Sequence, residues 1–184
     1  MTRVCLAVML VAALSNAASA GSYLGLGIGT KPAISDQKDR LETEGRSGKF
    51  LVGTRWGNVS AEGAIGGYAV LVSSSDTFIP LGDAYQAAAS LKMSLPFASG
   101  FEGFGRVGVH HTWINSDKDM NSVSGNGFLI GAGFEYRLNL TVTQASLFVD
   151  YQYSRAKLEG DRFKDGMAFE SSSRMWTLGL TVGI

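Results

Sequence analysis

The sequence predicts an all-β protein in which eight antiparallel strands close into an up-and-down transmembrane barrel. Three observations support this fold class. Apolar residues alternate with small or polar residues along eight segments, and a period of two is typical of strands. The connections between the segments alternate between short and long. The non-apolar face of the segments holds mostly Gly, Ser, Ala and Thr, which indicates a narrow closed interior and an apolar face turned towards lipid.

The alternation assigns each side chain of a predicted strand to one of the two faces. In the first strand, Leu24, Leu26 and Ile28 share one face and three glycines share the other. The segments are about 10 residues long, close to the ≈ 9–11 residues with which a tilted strand crosses a bilayer. In chain order the predicted strands are 23–30, 49–56, 59–70, 85–95, 104–113, 128–138, 143–155 and 174–184.

The lengths of the connections predict the orientation of the barrel. Residues 57–58, 96–100 and 139–141 form short turns, whereas the other four connections are roughly a dozen residues or longer and rich in charge, Ser and Gly. Outer-membrane barrels have short periplasmic turns and longer outer loops, so we expect both ends of the barrel chain in the periplasm. A soluble barrel of the lipocalin type is the alternative, but its outer surface would carry Lys and Glu, which these strands lack.

Aromatic residues near the strand ends predict two membrane interfaces, because amphipathic rings gather at the level of the lipid headgroups. The group by the short turns is Trp56, Phe97, Phe101 and Tyr136, and the group towards the long loops is Tyr68, Tyr85, Trp113, Tyr151, Tyr153 and Trp176.

Residues 1–20 have the features of a secretory signal peptide. A short basic start is followed by the apolar run 4–14 and by the small-residue motif 18–20. The apolar run is shorter than the about 20 residues that a membrane-spanning helix needs. We therefore expect residues 21–184 to form one barrel domain. Cys5, the only cysteine, would leave with the peptide, so neither a disulfide nor a cysteine-bound metal is expected.

The composition gives no support for nucleic-acid binding, since 16 basic residues balance 16 acidic ones. No pattern indicates a cofactor. Asp117, Asp119 and Asn121 could suggest a cation site, but such residues in a polar loop are usually just solvated, and no metal site is predicted.

The segment Ser90–Pro96, followed by Arg106–Val107–Gly108, carries a family resemblance. Its Lys-x-x-x-Pro turn, with an Arg ten residues beyond the proline, resembles the hairpin between the fourth and fifth strands of the OmpA transmembrane domain. The resemblance extends over residues 21–184, and in size the chain is similar to small OmpX/Ail-type barrels. It implies a protein of the Gram-negative outer membrane. The final strand resembles those presented to the barrel-assembly machinery, although it ends in Ile184 where the family commonly has Phe.

The same resemblance implies an ionic cluster in the lumen. Glu62, Lys92 and Glu135 match positions of a small cluster in OmpA-type barrels, and Arg106 and Asp150 match a second pair farther up the barrel. These five residues are the predicted lumen site.

One position departs from the family pattern. Phe148 stands where the family has an arginine on its seventh strand that completes the cluster. We therefore expect Lys92 to be the only nearby cation for two carboxylates, unless Arg55 or Arg106 turns towards them. The ion-exchange gate proposed for the family would then be incomplete.

The function that follows is that of a non-enzymatic, monomeric outer-membrane protein. Its expected roles are envelope integrity or surface interaction and adhesion through the outer loops, which could contact lipopolysaccharide or a host or surface ligand. A lipid-A-modifying enzyme is the first alternative, with His110 as base and Ser116 as nucleophile, but the sequence has no His-x-Ser-Asn arrangement like that of lipid A deacylases. The neighbouring His111 has no assigned role. A narrow solute channel is the second alternative, which an eight-stranded barrel filled by side chains disfavours.

Overall fold

The computed structural model describes residues 21–36, 41–74, 77–115, 123–139, 143–160 and 169–184. The predicted signal peptide, residues 1–20, lies outside them. In this part of the chain no helix is long and apolar enough to cross a membrane. The strands are β1 (Gly21–Gly29), β2 (Ala33–Asp36), β3 (Leu41–Trp56), β4 (Val59–Ser74), β5 (Thr77–Ala98), β6 (Phe101–Asn115), β7 (Val123–Asn139), β8 (Gln144–Gly160) and β9 (Phe169–Gly183).

Eight long strands form a closed antiparallel barrel. Consecutive strands from β3 to β9 pair with each other, and β1 closes the sheet by pairing with β3 on one side and β9 on the other. Closure leaves no long strand with an unpaired edge, which a sheet in lipid requires. The predicted fold class is therefore confirmed.

The short strand β2 was not predicted. It continues the line of β1 along β9, since Gly29 pairs with Thr177 and Ala33 with Arg174. The intervening residues include Pro32, which has no backbone N–H to donate to a ladder. The register along β9 shifts by one residue across this interruption.

The strands are longer than the alternation predicted, and one predicted long connection is wrong. Strands β4 and β5 stay paired as far as Ser74 and Thr77, so only residues 75–76 separate them. The reason is that a ladder needs only backbone hydrogen bonds, which continue past the membrane. Apolar alternation reports contact with lipid and therefore stops earlier than the strands do. At the other end, Gly57 and Gly100 close tight turns with φ of 58° and 78°, which glycine adopts without steric cost.

The two faces of the barrel separate apolar from polar side chains. Outward positions carry large apolar residues such as Leu26, Val109 and Leu178, each about two thirds exposed at 65–66%. An apolar surface of this kind fits contact with hydrocarbon.

The prediction that Tyr68 belongs to an aromatic band at the membrane interface is wrong. Tyr68 lies on the same face of β4 as Glu62, inside the barrel, and packs against the buried side chains of Ala84 and Ile114.

Candidate functional site

Six strands in succession each place one charged side chain in the middle of the lumen. The alternation that sends apolar residues to lipid sends these six inward, where each is at most 8% exposed. Three cations and three carboxylates give the set no net charge. We call these residues the lumen network: Lys49 on β3, Glu62 on β4, Lys92 on β5, Arg106 on β6, Glu135 on β7 and Asp150 on β8.

The lumen network is a chain of ion pairs with alternating sign. Lys92 lies 2.9 Å from a Glu135 oxygen and 3.1 Å from a Glu62 oxygen. Arg106 lies 3.1 Å from Glu62 and 3.5 Å from Asp150. Lys49 reaches Asp150 at 3.1 Å from the other side. The structure thus brings the five predicted site residues into one chain and adds Lys49. Because each charge has an opposite partner, the cost of burying it is offset.

Glu62 is the most highly connected member. Besides its two cations it accepts a hydrogen bond of 2.6 Å from the hydroxyl of Tyr23 on β1. Arg106 turns towards Glu62, so Lys92 is not the only cation available to the two carboxylates. Arg55, the other residue considered for that role, instead forms two hydrogen bonds with Glu102, at 2.8 and 3.2 Å.

Aromatic packing occupies the position of the arginine that the family pattern led us to expect. Phe148 is buried with Leu51 and Phe104, next to the lumen network. The Phe104 ring lies 4.9 Å from the Lys92 ammonium and 5.1 Å from the Arg106 guanidinium. A ring face attracts cations, so these contacts add cation–π stabilisation to the ion pairs.

A second ion cluster near the short turns was missed by the sequence reasoning. Glu102 is buried on β6 and pairs with Arg55 and, at 2.8 Å, with Arg137. Lys49 was missed as well, although the alternation had placed it on the inward face. Neither Glu102 nor Lys49 belongs to the family pattern. Lys49 meets Asp150 and Glu102 meets Arg55 across the lumen, where local sequence has no signal, whereas Arg137 lies on β7, next to the strand of Glu102.

A hydrogen-bonded chain runs from the lumen network towards the long-loop end. An ammonium can only donate, so the Gln152 oxygen must face Lys49, at 3.1 Å. The Gln152 amide then donates to the Gln86 oxygen at 3.0 Å, and the Gln86 amide donates to His110 Nδ1 at 3.0 Å. Because Nδ1 accepts, this chain favours the neutral His110 tautomer with its proton on Nε2.

The two histidines therefore have separate environments. His110 is inward and buried, and its Nδ1 also lies 3.1 Å from the Thr112 hydroxyl. His111 is outward, lies 2.8 Å from the Asn126 side-chain oxygen and stacks on Trp113. Ser116, the nucleophile considered for an enzyme, lies outside the described residues, as do Asp117, Asp119 and Asn121. Among the described residues, no group of three or more His, Cys, Asp or Glu could hold a metal ion.

An apolar cluster, here called the apolar plug, lies inside the barrel beyond His110, towards the long-loop end. It consists of five buried side chains with Tyr68 packed against them: Ala84, Ile114, Val123, Ala156 and Leu158. The lumen is thus filled by an ion cluster near the short turns, the lumen network, the glutamine–histidine chain and the apolar plug.

Comparison with known proteins finds one matching family and several similar structures. The family described as "Outer membrane protein beta-barrel domain" matches residues 3–183. No curated protein matches the chain. The crystal structure of Neisserial surface protein A (NspA) is similar, with a TM-score of 0.66 and 14% identity over 89% of this chain and 97% of that one.

Two other crystal structures share the fold. Ail of Yersinia pestis, solved in complex with the heparin analogue sucrose octasulfate, gives a TM-score of 0.54 and 16% identity over 90% of this chain and 99% of Ail. OprG from Pseudomonas aeruginosa gives a TM-score of 0.53 and 14% identity over 90% of this chain and 96% of OprG. The resemblance to small OmpA-like and Ail-type barrels is confirmed by these matches.

Proposed function

Because the chain belongs to the outer membrane protein β-barrel family and lies in the outer membrane of a Gram-negative bacterium, we propose that it is a non-enzymatic, monomeric barrel that supports the envelope or binds surface ligands through its outer loops. In this proposal residues 1–20 are a signal peptide. The final strand, β9, is the segment received by the barrel-assembly machinery.

The filled lumen is the observation that carries this proposal. Paired charges occupy its middle, and the apolar plug occupies its long-loop end. An ion crossing the barrel would have to break several buried ion pairs and pass the plug, so conduction through this conformation is disfavoured.

His110 is disfavoured as a catalytic base by its position below the plug. Its described hydrogen-bond partners are an amide and a hydroxyl, and the ring faces the lumen. A lipid substrate moving in the membrane would meet the outward face of the barrel, where His111 lies instead. We therefore expect cells with His110→Ala and cells with the parent protein to contain lipopolysaccharide in the same state of modification.

The outer loops are the part of the molecule that we propose for ligand binding. Ail shares the fold and was crystallised with a sulfated sugar analogue. By analogy, a polyanionic or host-surface ligand is a candidate for the loops of this protein.

Planar-bilayer recording tests the closed barrel. The purified protein should give no single-channel steps. The double variant Ile114→Ala with Leu158→Ala reduces the apolar plug and leaves the lumen network intact. It therefore tests whether the lumen network alone prevents conduction, and it too should give no single-channel steps. Regular steps from the parent would overturn the non-channel assignment.

A deletion strain separates the two remaining roles. It should be complemented either with the full chain or with a version in which residues 116–122 are replaced by a short turn. If the barrel itself supports the envelope, both versions restore detergent resistance. If the loop binds a surface ligand, only the full chain restores adhesion. A deletion that changes neither property would refute the proposal.

A further inference from the structure

We propose that the outward face of β8 and β9 binds a phosphorylated, acylated lipid of the outer leaflet, with its phosphate at Arg155 and Arg174 and one acyl chain in the groove below them. This site is on the lipid-facing wall, separate from the outer loops and from the lumen. It follows from a cationic patch and an apolar groove that meet at one pair of aromatic rings.

The first observation is a set of cations directly above the aromatic band. Arg155 and Arg174 are outward and exposed near the long-loop ends of their strands. Tyr153 pairs with Arg174 across the two strands, and the Arg174 guanidinium lies over the Tyr153 ring, 5.9 Å from its centre. The next pair towards the short turns is Tyr151 with Trp176, whose ring centres are 4.9 Å apart. Aromatic rings of this kind mark the interface, so the arginines lie at headgroup height.

The second observation is the charge state of the patch. Arg155 pairs with Glu170, and Lys157 lies 3.7 Å from Glu159. Arg174 has no carboxylate within ion-pair distance among the described residues. The patch therefore keeps one net positive charge, which is centred on a guanidinium.

The chemistry of that guanidinium suits phosphate. The Arg174 guanidinium lies within cation–π distance of the Tyr153 ring, 5.9 Å from its centre, and a guanidinium can donate two parallel hydrogen bonds to two phosphate oxygens. Arg155 uses one terminal nitrogen for Glu170 and keeps further donors for the same anion.

The third observation is a groove on the lipid-facing wall with a volume of about 630 Å³. Its floor is made of small outward residues, Gly103, Gly105 and Ala132, and its upper end is lined by Tyr151 and Trp176. The floor follows one ladder row across the strands, Met93–Gly105–Ala132–Tyr151–Trp176.

The direction and length of this row fit an acyl chain that hangs from the patch. Met93 lies five residues before the end of β5, and Trp176 lies seven before the end of β9, so the row rises from the short-turn side towards the aromatic pair. From β5 to β8 it crosses three strand spacings, roughly 14 Å. The upper end of the groove is directly below Arg174. A lipid whose phosphate is bound at Arg174 could therefore place one acyl chain in the groove.

Native mass spectrometry of the purified protein in detergent micelles tests the site with a defined probe, bisphosphorylated hexa-acylated lipid A. We expect Arg155→Gln with Arg174→Gln to weaken its binding about tenfold, since two charge-assisted contacts are lost. Arg46→Gln removes an exposed charge on β3 and should leave binding unchanged. Both arginines are exposed, so the double variant should fold, which heat-modifiable gel mobility verifies.

Two further measurements separate the parts of the site. Gly105→Leu should fill the groove, because a Cβ there would meet only the Gly131 carbonyl oxygen, at 4.0 Å, and should weaken lipid A binding severalfold. Inorganic phosphate and monophosphorylated lipid A should both bind more weakly than the bisphosphorylated lipid. The proposal is overturned if the double arginine variant binds lipid A as the parent does, or if inorganic phosphate occupies the site equally well.

Discussion

Replacing Lys92 with methionine would remove the cation shared by two buried carboxylates while keeping most of the side-chain volume. Lys92 lies 3.1 Å from Glu62 and 2.9 Å from Glu135. After the replacement Glu62 keeps Arg106 and the Tyr23 hydroxyl. Glu135 keeps no cation within ion-pair distance in the described part of the chain. The uncompensated charge should therefore reside mainly on Glu135.

The size of the effect follows from burial. Removing one member of a buried ion cluster costs about 3–5 kcal/mol, and water reaching the lumen lowers this figure. We expect Lys92→Met to lower the free energy of unfolding by about 3 kcal/mol. Glu135→Gln leaves Lys92 paired with Glu62, so its cost should be only about 1 kcal/mol.

A double-mutant cycle isolates the interaction. Lys92→Met combined with Glu135→Gln restores charge balance, and we expect it to be about 2 kcal/mol more stable than Lys92→Met alone. Urea unfolding of the folded protein in detergent micelles measures all of these variants, and the single replacement should lower the midpoint by about 1 M or more. An unchanged midpoint for Lys92→Met, or a double variant no more stable than it, would show that the ion pairs contribute nothing to stability.

The family position provides a second rescue. Phe148 lies directly opposite Glu135 across β7 and β8. Phe148→Arg in the Lys92→Met background should therefore partly restore the midpoint, although it loses the packing of the ring against Leu51 and Phe104. No gain from this replacement would mean that a cation at this position does not reach the carboxylate.

Two further predictions concern orientation and the lipid face. A tag inserted after Ser75 should bind antibody on intact cells and one at Asn58 should not; labelling at Asn58 on sealed cells would reverse the assigned orientation. Leu178→Arg places a charge on the lipid face and should cost ≈ 2–4 kcal/mol in micelle unfolding, whereas Thr177→Ser, buried on the inward face, should cost little; equal stability of the two variants would contradict the assigned faces.

The sequence by itself determined the barrel and the face of each side chain. A period of two is local, so Glu62, Lys92 and Glu135 could be assigned to the lumen from their own neighbours in the chain. The same rule assigned Lys49 to the lumen and Leu178 to lipid. Strand number and closure followed from the eight repeats of this pattern, although the connection between β4 and β5 is shorter than predicted.

Only the tertiary structure decided which charges meet. Lys49 on β3 reaches Asp150 on β8 across the lumen, and Arg106 on β6 reaches Glu62 on β4 past an intervening strand. Such contacts depend on register accumulated around a closed barrel and on the reach of long side chains, neither of which a local pattern contains. The inward position of Tyr68 is different, because it shares a face of β4 with Glu62 and the period of two alone would have placed it inside the barrel. The face on which a side chain lies is set within one strand, whereas the residues that it contacts are set by the whole closed sheet.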